Sequence, residues 1–198
     1  TQAKTLFPYT TLFRSENRLY KDWKRRYQNS LKNSTETFVQ HHVENYGGTL
    51  PIWCAVHILD WGSLQTLFSM LPKEIRRPIA AKLRLTPSVL DSWLNCLRVI
   101  RNISAHHSRF FNRSLSNTPT IPHNASEIGI MGLSEAKNKC FDQLTLIQYL
   151  TCTMGLGDGT ALPSVLATFP ATDVVPLRAT GTPDNWQSLP LWACEPTT

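Results

Sequence analysis

The sequence predicts an all-α protein, and three observations predict it. Apolar residues recur at three- and four-residue spacing in nearly every segment between residues 17 and 154. Serine, threonine and proline open these segments, and glycine closes several of them. A hydrophobic content of 41% over 198 residues is enough for a sizeable core.

The first helix is expected over Asn17 to Leu31, with Leu19, Trp23 and Tyr27 at helical spacing against the body. Ser34 or Thr35 would cap a second helix that stops at Gly47-Gly48. Pro51 opens an apolar helix through Trp61, and after Gly62 a short one runs from Ser63 to Leu71. Pro72 to Leu83 is next, with a kink expected at Pro78. Pro87 and Ser88 start a long helix that the apolar stripe carries to about Leu115. A loop with Pro119 and Pro122 covers 117–124. Ser134 is the expected cap of a helix to about Met154, with Cys140, Phe141, Leu144, Ile147 and Thr151 on its buried side and Leu146 and Leu150 widening that face. The tail from Gly155 is rich in Pro, Gly and Thr. It has a short helix over Ala161 to Ala167 and anchors at Trp186, Leu191 and Trp192.

Residues 5–15 read as the translation, in one frame, of a short-read sequencing adapter. Residues 1–15 are therefore expected to be non-native, with the native sequence starting at about Glu16 after the loss of a helical region. The expected organisation is that segment, a helical domain over 16–154 and a tail over 155–198 packed on it.

The formal charge is +6, and leaving out Lys4 and Arg14 reduces it to +4. That excess favours an acidic partner without identifying one. The cations gather in three places: Lys21, Lys24, Arg25 and Arg26; Arg76 and Arg77; and the long helix. Five widely spaced cysteines without a signal peptide read as reduced thiols in the cytoplasm. Cys54 and His57, one turn apart, are too few to make a zinc site, so neither metal nor cofactor is expected. No apolar run is long enough to span a membrane. Trp53, Trp61, Phe68 and Trp93 could stack on bases, but at helical spacing among Leu and Ile they read as core.

The most informative stretch is Arg98-Val-Ile-Arg101-Asn102-Ile-Ser-Ala-His106-His107-Ser-Arg109-Phe-Phe-Asn112-Arg113. On a continuous helix at about 100° per residue, Arg98, Arg101, Asn102, His106, Arg109, Asn112 and Arg113 share a polar arc. His107 falls on the apolar side with Ile100, Ile103 and Phe111, as a buried structural histidine. No acid occurs between Asp91 and Glu127. Such a face suits an anion, with a backbone phosphate foremost. An imidazole can move a proton near neutrality, and guanidinium groups can hold a phosphate and offset its developing charge. The plain alternative is a solvated basic face.

Arg101-Asn-Ile-Ser-Ala-His106 resembles the signature of HEPN-type ribonucleases, an arginine and a histidine separated by four to six residues. The longer string from Arg101 to Arg113 is similar to the core motif of the bacterial abortive-infection family related to AbiD and AbiF. Phe38 to Trp53, and Gly181 to Trp186 with Leu189 to Trp192, agree with that family in the same order. Phe110-Phe111 stand where relatives carry Leu-Trp, a change of packing only.

The resemblance implies a HEPN-like helical bundle and a metal-independent endoribonuclease of phage defence, cytoplasmic and homodimeric, with a cleft shared by two motif helices. His106 would be the general acid/base, Arg101 the phosphate-stabilising group and Asn102 their orienting partner. Arg98, Arg109, Asn112 and Arg113 would bind RNA. Arg101 and His106 stand about 140° apart on the helix, which fits a cleft completed by a second copy. Two alternatives stay open: a non-catalytic module holding a regulatory RNA, and a toxin–antitoxin interaction protein docked on an acidic antitoxin.

Overall fold

Eight α-helices and three short 3-10 turns make up the regular structure among the described residues, with no strand. The structure is a computed structural model, and it describes residues 18–48, 50–170 and 172–193. The adapter-like segment and Cys194 lie outside them. Contacts group the chain into two compact units that divide between Arg76 and Arg77.

In the first unit α1 (Arg18–Asn33) packs on α4 (Trp61–Met70). Trp23 and Tyr27 are buried and stacked, with centroids 5.7 Å apart, and Trp23 Nε1 donates to the Ser63 carbonyl at 2.9 Å. Val39, Leu50, Ala55, Leu59 and Leu67 complete this core. Leu19 is 45% exposed, so the expected three-residue contact is carried by two.

Helix α2 (Thr37–Tyr46) has Glu36 at its N-cap without a side-chain bond, so neither Ser34 nor Thr35 caps it. Ser34 Oγ instead accepts from the N–H of Glu36, two residues on and just ahead of the helix. Gly47 ends α2 at φ 63°, a left-handed conformation that glycine adopts without a steric cost.

The long helix expected after Pro51 is a single turn, α3 (Ile52–Ala55), followed by a 3-10 turn over Val56–Ile58. Asp60 breaks the run, because its carboxylate accepts from the Ser63 N–H at 2.6 Å and opens a new helix. Trp61 and Gly62 therefore begin α4 rather than separate two helices. Trp53 and Trp61 are 70% and 37% exposed, against the expectation of core, whereas Phe68 and Trp93 are buried. Helix α5 (Lys73–Ala81) contains Pro78 and closes with Arg84 at φ 53°.

The second unit is built on α6 (Pro87–Ala105) and α7 (Cys140–Met154), which pack together. Thr86 caps α6, accepting from the Val89 N–H. Trp93, fully buried, meets the Tyr149 ring edge to face at 5.5 Å and donates to the Thr120 carbonyl at 2.9 Å. Ser92 Oγ accepts from the Thr120 N–H, so two bonds strap that loop to α6.

Ser134 does not cap α7, which starts six residues later. It is held instead by Asp142, a fully buried carboxylate that accepts from the Ser134 N–H and Oγ at 2.6 Å and from the Lys139 N–H at 2.8 Å. Helix α7 is buried on most sides rather than along one stripe. Phe141, Leu146 and Tyr149 are covered together with Gln143, Thr145 and Gln148, while Leu144, Ile147 and Thr151 are only half-buried. Gln148 Nε2 reaches the Gly159 and Leu191 carbonyls. Helix α8 (Ala161–Ala167) matches its expected bounds. In the tail, Trp192 stacks on Phe141 at 4.8 Å and meets Trp186 edge to face at 5.8 Å.

Candidate functional site

Helix α6 ends at Ala105, ten residues short of the expected Leu115. The Ser108 N–H bonds to the Ile103 carbonyl at 2.9 Å and the His107 N–H to the Ser104 carbonyl at 3.1 Å. This crossed pair of bonds is a Schellman closure, in which the residue past the cap turns left-handed. His107 occupies that place at φ 50°. It is exposed rather than buried among Ile100, Ile103 and Phe111, because the chain leaves the helix before the stripe reaches it.

The continuous polar arc is therefore divided in two. Arg98, Arg101 and Asn102 lie on α6, and His106 is its C-cap with φ −98° and ψ 16°. Arg109, Asn112 and Arg113 lie on the irregular segment that follows, all exposed. Asn112 is left-handed at φ 48°, a conformation that asparagine tolerates better than most residues. Phe111 stacks on Phe169 at 5.5 Å, and the Leu115 N–H donates to the Asn138 carbonyl at 2.9 Å, so this segment is tied down at two points.

Arg101 is exposed, and its Nη1 donates to Asn102 Oδ1 at 3.1 Å, so the carboxamide fixes the direction of the guanidinium. Asn102 is half-buried and its carbonyl accepts from the His106 N–H at 3.1 Å. The His106 imidazole is exposed. Its cap position keeps it on the helical track, about 140° around and roughly 7.5 Å along the axis from Arg101. Arg98 is half-buried and committed to Asn95, donating from Nη2 to Oδ1 at 2.8 Å.

The end of α6 thus offers one guanidinium bonded to Asn102 and one exposed imidazole, with Arg109 and Arg113 following in the same acid-free stretch. Such a set can hold a phosphate and exchange protons with it. No group of three His, Cys, Asp or Glu side chains able to hold a metal occurs among the described residues. No helix among them is long and apolar enough to cross a membrane.

Two features of the structure had escaped the sequence reading. Asp142 is one, since nothing in its sequence context marks it as the fastening of the 134–139 strap. The Asp60 cap is the other: the expected break at Gly62 falls two residues after the residue whose carboxylate opens α4.

A family model described as Abi-like protein matches residues 2–112, more than half of the chain. The match runs through the end of α6 as far as Asn112. No curated protein and no solved structure matches the chain.

Proposed function

From the premise that the chain belongs to the Abi-like protein family, which makes abortive infection its general role, we propose that it is a metal-independent endoribonuclease of the HEPN type, related to AbiD and AbiF. The observation that carries this reading is the acid-free end of α6, where Asn102 bonds an exposed Arg101 and the His106 imidazole is exposed as well.

The 2′-hydroxyl of a bound RNA attacks the neighbouring phosphorus, forming the P–O2′ bond and breaking the P–O5′ bond. His106 takes the hydroxyl proton, and a proton returns to the departing 5′-oxygen. Arg101 offsets the charge that builds on the phosphoryl oxygens. The products are a 2′,3′-cyclic phosphate and a 5′-hydroxyl. Arg101 and His106 face different directions on one helix, so two copies would supply complementary halves of the cleft, with one His106 as base and the other as acid. Arg109, Asn112 and Arg113 hold flanking phosphates in this reading, and Arg98 does so through the donors that its bond to Asn95 leaves over. The protein then acts in the cytoplasm as a homodimer, with an antitoxin or regulatory RNA as its restraint.

His106→Ala tests the proposal. Cleavage of RNA is lost and RNA affinity stays within about twofold of the parent, since a single imidazole among several arginines adds little to phosphate binding. Retained cleavage contradicts the assignment. A parent that binds RNA and never cuts it fits a non-catalytic module instead.

A further inference from the structure

Helix α1 carries a second cationic feature in the other unit of the chain, which the ribonuclease reading does not use. With Trp23 as origin on the helical wheel, Trp23, Tyr27, Tyr20 and Leu31 span an arc of about 80° that faces the core. On the opposite side Arg18, Lys21, Arg25 and Lys32 fall within about 60° of one another. All four are exposed. They rise along the axis over about 21 Å as a single cationic stripe.

Lys32, in the last turn, complements the helix dipole, but the stability of the helix does not call for the other three. Arg18 and Lys21 stand in the first turn, at the positive end of the helix dipole, where no acid is present. Arg18 and Lys21, and Lys21 and Arg25, are like-charge neighbours three and four residues apart, which weakens a helix. The one acid on α1, Asp22, lies off the stripe. It accepts from Arg25 Nη2 at 3.2 Å, with both side chains largely in solvent. The guanidinium keeps other donors free.

Beside the stripe a groove of about 430 Å³ opens between α1 and α2. Gln28, Lys32, Gln40 and Glu44 line it, with Leu31 and Val39 as apolar wall. Amides and a carboxylate over an apolar wall can take the edge and face of an unstacked base. A membrane surface fits less well, because the apolar face of α1 is already spent on the core and nothing is left to insert.

We infer that the outer stripe of α1 holds the phosphates of single-stranded RNA, with one base received in the adjoining groove. The inference rests on the reading that RNA is the substrate, and it adds a contact surface distinct from the α6 motif.

The test uses the full chain and a short, labelled 2′-O-methyl oligoribonucleotide, which cannot be cut through its 2′-oxygen. Affinity is measured across salt for the parent, for Lys21→Gln/Arg25→Gln/Lys32→Gln and for Lys21→Arg/Lys32→Arg. Each lost phosphate contact on a single strand removes about 0.7 from the slope of log K against log salt, so the triple variant should be shallower by about two. A fourfold rise in salt then costs it about twentyfold less affinity than it costs the parent. The arginine variant keeps the parental slope. Circular dichroism checks the helix, and should the triple variant unfold, single glutamine variants each lower the slope by about 0.7. A parent that binds with a steep slope, left unchanged by the triple substitution, overturns the α1 assignment alone. A parent that does not bind the oligonucleotide at all overturns the RNA reading beneath it. Loss of binding to phosphatidylserine vesicles, with the RNA slope unchanged, overturns the assignment in favour of a lipid surface.

Discussion

Replacing His107 by glycine tests the local geometry of the motif through the sign of a stability change. His107 sits left-handed at φ 50° in the closure of α6, with its side chain exposed. A single L-residue there costs roughly 1–2 kcal/mol that glycine does not incur. Glycine gives back roughly 0.5–1 kcal/mol, because it loses more freedom on folding. The variant is therefore more stable by about 0.5–1 kcal/mol, which at this chain length raises the melting temperature by about 1–4 °C. A continuous helix through residue 107 predicts the opposite sign, since glycine in a helix interior costs about 1 kcal/mol against alanine. A buried histidine in the apolar stripe predicts a larger loss still. Urea titration of parent and variant decides between them, with His107→Val as the converse control. The β-branched residue resists positive φ and should destabilise by about 1–2 kcal/mol. Destabilisation by glycine would refute the closure, and with it the placing of His106 at the end of α6. RNA cleavage by His107→Gly should equal that of the parent, because only His106 moves protons in the proposed reaction.

Three further outcomes follow from the packing. Asp142→Asn leaves one oxygen where two carboxylate oxygens accept three bonds. It should destabilise the protein by about 3 kcal/mol in urea titration, and a change below about 1 kcal/mol would show that the strap is not held this way. Trp93→Ala should cost about 3–5 kcal/mol, and Trp53→Ala, at a side chain 70% exposed, within about 0.5 kcal/mol of nothing. Burial raises the Cys96 thiol to about 11, and burial together with the Asp142 charge raises Cys140 to about 12. Both stay protonated and unreactive at pH 8, so iodoacetamide with mass-spectrometric mapping should mark exposed Cys152 before either of them.

Much of the fold was legible where a terminus carries its own chemistry. Gly47 and the bounds of α8 follow from local signals, and Trp23 and Tyr27 sort to the core by spacing alone. The end of α6 was hidden, because a histidine fills the left-handed position that glycine usually marks. Phe110 and Phe111 then extend the apolar period past a helix that has already closed. Ser134 misled for a related reason. It is a good capping residue by type, but its hydrogen bonds go to a carboxylate eight residues on. The residues proposed for chemistry were legible because charge and titration belong to residue types. Their grouping was not, since it depends on where the helix stops: Arg101, Asn102 and His106 stay on the helical track, while Arg109, Asn112 and Arg113 follow a different path.

The most direct test of the ribonuclease reading is the chemistry of the cut ends. Parent protein and an Arg101→Ala/His106→Ala variant are incubated with total cellular RNA in the presence of EDTA, and the product termini are identified. The account predicts that the parent alone generates 2′,3′-cyclic phosphate and 5′-hydroxyl ends, undiminished by chelation. Loss of cleavage on chelation, 5′-phosphate ends, or equal cleavage by the double variant would contradict it.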